Sequence, residues 1–296
     1  MTCAERPILF DCQGDRLVGI LAIPGRLACM TGVIIIVGGP QYRAGSHRQF
    51  TLLARSLAIH GIVSLRFDTR GMGDSEGDAR SFTALDDDIR AAIDTLLREV
   101  PRLTGVALWG LCDAASAAMM YACQDARVSK LVLLNPWVHT DGLAARARLN
   151  HYYGRQLLRR ELWRKLFSGQ IDWTASLRDV VRSLRSVIEK QFFDTPRSFS
   201  SGIPQEGANP SEARGFIVRM LRCFERFEGH SLIILSGNDL TAQEFLTLTH
   251  GSKAWQRVLR RTNGRIELMP GANHTFASCE WRLQVECETN KAISST

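Results

Sequence analysis

Val106-Ala107-Leu108-Trp109-Gly110-Leu111-Cys112-Asp113-Ala114-Ala115-Ser116-Ala117-Ala118 decides how this chain is read. A short apolar run leads into a tight turn, and an alanine-rich stretch that favours helix follows it. Strand, sharp turn and helix together make the nucleophile elbow, whose pattern G-x-S-x-G here has Cys112 in the serine's place. The turn is so sharp that its neighbours must be small, a need met by Gly110 before it and Ala114 after it. Ser116, the alternative nucleophile, lies a turn into the helix, away from the apex.

Outward from the elbow, apolar strands alternate with helices. Ile8 to Cys12 and Leu17 to Ile23 flank Gln13-Gly14-Asp15 as a hairpin. Gly32 to Val37, Ile62 to Phe67, Lys130 to Leu134, Ser231 to Ser236 and Ile266 to Met269 read as further strands. Helices are expected around Arg48 to His60, where Phe50, Leu53, Ala54 and Leu57 share a side, and from Leu85 to Val100, stopped by Pro101. This alternation predicts an α/β fold, a mainly parallel sheet with helices on both faces. The rhythm breaks between Trp137 and Gly229. The expected organisation is a core of residues 1–136 and 230–296 with a mostly helical cap inserted at 137–229, including a helix around Ser211 to Phe227.

A nucleophile needs a base, an orienting acid and an oxyanion hole. Asp239 follows the strand ending at Ser236, and His274 follows the strand ending at Met269. Both therefore fall at strand C-terminal ends, where open parallel sheets build their sites. The catalytic candidates are Cys112 as nucleophile, His274 as base and Asp239 as the residue that fixes the imidazole. For the oxyanion hole, the Asp113 backbone N–H is one candidate donor, and either Gly39 or Gln41 is the other, since Pro40 has no N–H. A helix N-terminus and a histidine partner are expected to lower the Cys112 pKa, with the Asp113 carboxylate opposing them. The other histidines, His139 among them, lack such a setting.

With these residues in place, the chain resembles the α/β-hydrolase superfamily, which carries nucleophile, acid and base in that chain order. Arg66-Phe67-Asp68-Thr69-Arg70-Gly71-Met72-Gly73-Asp74-Ser75-Glu76-Gly77 is similar to that family's strand and turn before the elbow. Gly110 to Ser116, with Gly38-Gly39-Pro40-Gln41-Tyr42-Arg43 and Gly45-Ser46-His47, resembles the exosortase A system-associated hydrolases. That resemblance implies a bacterial protein associated with exopolysaccharide production and protein sorting. Ala114 departs from the family's glycine, and Asn273 stands before His274 where many relatives have Asp.

Composition bounds the rest. At 296 residues, 45% hydrophobic and 23% charged, the chain is long enough for a full core plus an insertion. No apolar run reaches the roughly 20 residues that span a bilayer, and the start lacks a secretory pattern, so a cytoplasmic protein is expected. The eight cysteines include no C-x-x-C pair, which predicts reduced thiols and no metal site, and no cofactor is called for. Net charge is +7, concentrated between residues 144 and 190, where eleven Arg and Lys face four Asp and Glu. This is either a solvated helical surface or a basic mouth for an anionic acyl carrier, an acidic glycan or an anionic membrane face; no nucleic-acid motif accompanies it. The expected partner is a small-molecule or carrier-bound acyl substrate, with the oligomeric state left open. Three functions follow: a hydrolase working through an acyl-cysteine, an acyltransferase using the same thioester, or a non-catalytic binding protein of the same fold. Cysteine elbows in polyester synthases and dienelactone hydrolases provide analogies for the first two.

Overall fold

The computed structural model describes residues 3–39, 41–139, 210–261 and 263–295. All of them belong to one compact unit formed by Met1–Ala147 and Pro210–Thr296. The basic stretch and most of the expected cap, from 140 to 209, lie outside the described residues.

The chain opens with a hairpin, β1 (Cys3–Cys12) and β2 (Asp15–Pro24), closed by Gln13 and Gly14, both at positive φ, as a two-residue loop requires. There follow β3 (Thr31–Ile36), α1 (Gln49–Ile59), β4 (Ser64–Phe67), α2 (Asp86–Glu99), β5 (Gly105–Leu111), α3 (Asp113–Tyr121) and β6 (Val128–Leu134). After the undescribed segment come α4 (Pro210–Arg226), β7 (His230–Ser236), α5 (Leu240–Gly251), α6 (Lys253–Arg261), β8 (Asn263–Met269) and α7 (Cys279–Ser294). The strands form one eight-stranded sheet in the order β1-β2-β4-β3-β5-β6-β7-β8, parallel from β4 to β8 and antiparallel at the hairpin end.

Strand β3 shows why both faces are covered. Val33 and Ile35 point into one apolar layer with α1 and α7, while Ile34 and Ile36 point into the other with α2 to α6. Complete burial of each such side chain contributes about 1.5–3 kcal/mol. The helix at Pro210–Arg226 covers the one expected near Ser211, and its Met220 and Phe224 are buried in the α2–α6 layer.

One expectation is corrected. Cys123, just past α3, and Cys223 of α4 are joined by a disulfide, their Cα atoms 5.1 Å apart. Packing of α4 on α3 brings together two cysteines 100 residues apart, a pairing that spacing alone does not reveal.

The parallel strands also end in step. Leu111 pairs with Leu134, Leu134 with Ile234, and Ser236 with Met269. The loops after β5, β6, β7 and β8 therefore emerge along one edge.

Candidate active site

The elbow is held by close packing. A Cβ on Gly110 would lie 2.6 Å from the Ala114 backbone and 2.7 Å from the Ala115 nitrogen, so only glycine lets β5 and α3 approach this far. Ala114 is fully buried, and Gly38 across from it has no Cβ to strike the methyl, which would otherwise be 2.9 Å away. The glycine missing from the elbow thus has its counterpart in the facing loop.

Cys112 sits at φ 63 and ψ −123, a conformation that costs a non-glycine residue about 1–3 kcal/mol. Its surroundings fix it there: its N–H donates to Leu134 at 2.8 Å, and its carbonyl accepts from Ala115 at 3.1 Å and Trp137 at 3.2 Å. Ser116 is fully buried, and its hydroxyl donates to the Trp137 carbonyl at 2.7 Å.

His274 and Asp239 meet, Nδ1 to Oδ2 at 3.0 Å. Asp239 is also the N-cap of α5, its Oδ2 accepting from Ala242 N–H at 3.1 Å. One carboxylate oxygen therefore serves both the helix and the imidazole. Assigning the Nδ1 proton to this bond leaves Nε2 free to accept a proton. Among the described residues no hydrogen bond joins the Cys112 thiol to His274.

Electrostatics reverse the expected shift at Cys112. Burial pushes its pKa up to about 12; the Asp113, Asp239 and Glu244 charges add to the rise, and only the Asp113 N–H opposes them. The expected lowering fails because burial and three carboxylates act on the same sulfur. Asp113 is itself raised, by burial first, against donated N–H bonds and the His274 charge. Its carboxylate accepts from Gly39 N–H at 2.8 Å and Ala114 N–H at 2.9 Å. Gln41 turns its side chain to Ser46, accepting that N–H at 3.2 Å.

Two features escaped the sequence reading. Asn135, fully buried just after β6, donates from Nδ2 to Ser236 Oγ at 2.6 Å and to the His274 carbonyl at 3.0 Å. Its Oδ1 accepts from Ser236 N–H at 2.9 Å, so it ties the ends of β6 and β7 to the histidine loop. The available signal was a polar residue directly following a buried strand. His139 does have a setting: Nδ1 lies 3.0 Å and 3.1 Å from the two carboxylate oxygens of buried Glu244, and its ring stacks on Trp137. Among the described residues, no group of three or more His, Cys, Asp or Glu is arranged to hold a metal ion, and no helix is long and apolar enough to cross a membrane.

Residues 33–279 match the alpha/beta hydrolase family. The chain belongs to that family. The chain is similar to the Pyrococcus furiosus esterase Pf2001, with a TM-score of 0.63 and 13% identity, covering 98% of this chain and 90% of that one. Two curated fungal relatives match over shorter stretches. A polyketide transferase of Penicillium sp is 31% identical over 98 residues, 30% of this chain and 32% of that protein. An acyltransferase of Aspergillus calidoustus is 25% identical over 134 residues, 43% of this chain and 42% of that protein. The chain thus spans about a third to two fifths of the curated relatives it matches.

Proposed function

We propose that the protein cleaves an ester or thioester through a covalent acyl-Cys112 intermediate. The observation that carries this reading is Cys112 held at the elbow's strained backbone, with the hydrogen-bonded His274–Asp239 pair on the same sheet edge. His274 Nε2 takes the thiol proton as sulfur attacks the acyl carbon. The carbonyl oxygen becomes an oxyanion facing the Asp113 N–H and a donor from Gly39 or Gln41. Collapse expels the alcohol or thiol, which takes the proton from His274 and leaves a thioester on Cys112. Water then attacks, giving its proton to His274, and the acid departs as Cys112 regains its proton.

A second reading replaces water with an amine, a sugar hydroxyl or a carrier thiol. It is favoured by the names of both curated relatives, a polyketide transferase and an acyltransferase. The paired His274 and Asp239 argue against a purely binding role. The resemblance to exosortase-associated hydrolases supports a cytoplasmic role beside exopolysaccharide production.

The test is incubation of wild type and Cys112→Ala with short activated esters and acyl thioesters, followed by intact and peptide masses. An acyl adduct on the Cys112 peptide, absent from the variant, is expected. Unchanged turnover in Cys112→Ala would remove Cys112 as nucleophile. Added acceptors that collect the acyl group in place of water would select the transferase.

A further inference from the structure

The Gly39 N–H, a candidate oxyanion donor, is occupied in the resting protein. Asp113 Oδ2 accepts it at 2.8 Å, while Oδ1 accepts the Ala114 N–H in the first turn of α3 at 2.9 Å. Gly38 makes room for this arrangement, because a Cβ there would fall on the carboxylate. A negative group therefore holds a candidate oxyanion donor, beside the residue whose sulfur the proposed chemistry makes negative.

We propose that the Asp113 carboxylate is an internal occupant of the oxyanion hole, displaced by the substrate carbonyl, so that Cys112 becomes a nucleophile only with an acyl group bound. This rests on the reading of Cys112 as nucleophile and Gly39 as a donor. When a carbonyl oxygen takes the Gly39 N–H, the carboxylate rotates toward solvent and its repulsion on the sulfur falls. In the free protein the same carboxylate keeps the thiol protonated and slow toward stray electrophiles. The other charges around Cys112 stay in place throughout: Asp239 from the loop after β7, Glu244 from α5 with His139 on it, and His274 from the loop after β8.

The test is the pH dependence of Cys112 alkylation by iodoacetamide, read on the full chain by peptide mass, for wild type, Asp113→Ala and Asp113→Asn. Both variants should shift the midpoint down by about one pH unit or more, which raises alkylation at pH 7 about tenfold. Asn keeps the shape of the occupant and removes its charge, so it reports even if Ala unfolds the elbow. Acetate should refill the emptied hole in Asp113→Ala, slowing alkylation toward the wild-type rate while leaving wild type unaffected. A midpoint unchanged in both variants, or an acetate effect equal in wild type and Asp113→Ala, overturns the proposal. Alkylation reads the ionisation of Cys112 whether or not it carries the acyl group. Failure here is thereby separate from failure to find an acyl adduct on Cys112.

Discussion

Replacing Asn135 by Ala should injure stability and catalysis together. The substitution strips two donated bonds, to Ser236 Oγ and the His274 carbonyl, and one accepted bond from Ser236 N–H. Asn135 is fully buried, so the Ser236 N–H is left without a partner, at a cost of about 1–3 kcal/mol. Asn135 also adopts φ 44, a left-handed conformation that asparagine tolerates and that costs alanine about 1 kcal/mol more. Together with the deserted His274 carbonyl, the expected loss is about 3–5 kcal/mol, short of unfolding a domain of ordinary stability. Urea unfolding followed by tryptophan fluorescence measures it. The catalytic effect is separate, because the lost bonds anchor the loop that aims His274. A misplacement of about 1 Å costs up to roughly 100-fold, so kcat on a short activated ester should fall about 10- to 100-fold with KM little changed. A stability loss below about 1 kcal/mol would refute the bonding account; a large loss with unchanged kcat would refute the positioning role.

Gly110→Ala puts a methyl 2.6 Å from the Ala114 backbone; it should lose about 1–3 kcal/mol in urea unfolding and slow Cys112 acylation, and wild-type values in both would refute the close-approach argument. Arg127 beside Asp125 holds that carboxyl down at about 2, below its unfolded value near 3.9, so its contribution is present in full at neutral pH and fades as pH falls toward 2. Asp125→Asn should therefore cost up to about 1 kcal/mol at pH 7, given the solvent around this pair, with urea midpoints of wild type and variant converging in acid. The Cys123–Cys223 bridge closes a separation of 100 residues, so reductant should lower wild-type stability by about 2–4 kcal/mol and leave Cys223→Ala unmoved; a wild type indifferent to reductant counts against the bridge.

What could be read from the sequence follows from where each property originates. The buried run of β3 and the elbow of β5 are local: residue type and spacing suffice to mark a covered strand and a sharp turn. Strand β8 was also recognisable from Ile266 to Met269, but not its exposure. It ends the sheet, and Ile266 and Leu268 are 45% and 51% exposed among the described residues. The raised Cys112 pKa is not local at all. Asp239 and Glu244 act on a sulfur more than 120 positions away in the chain, and burial depends on every element packed over the elbow.

Asn135 shows where the boundary lies. Its partners Ser236 and His274 are 101 and 139 residues away, so no spacing announces them. Yet the rule that pointed to Asp239 and His274, polar residues in the loops following parallel strands, applies equally to Asn135 after β6. Because the ends of β5 to β8 lie in step, residues leaving those strands must share one edge, and the sequence specifies who stands there. It does not specify how their charges balance. That balance puts the Asp113 carboxylate on the Gly39 N–H and the thiol of Cys112 in its protonated form. An elbow motif can therefore nominate an attacking atom, while that atom's ionisation is set by groups the motif does not contain.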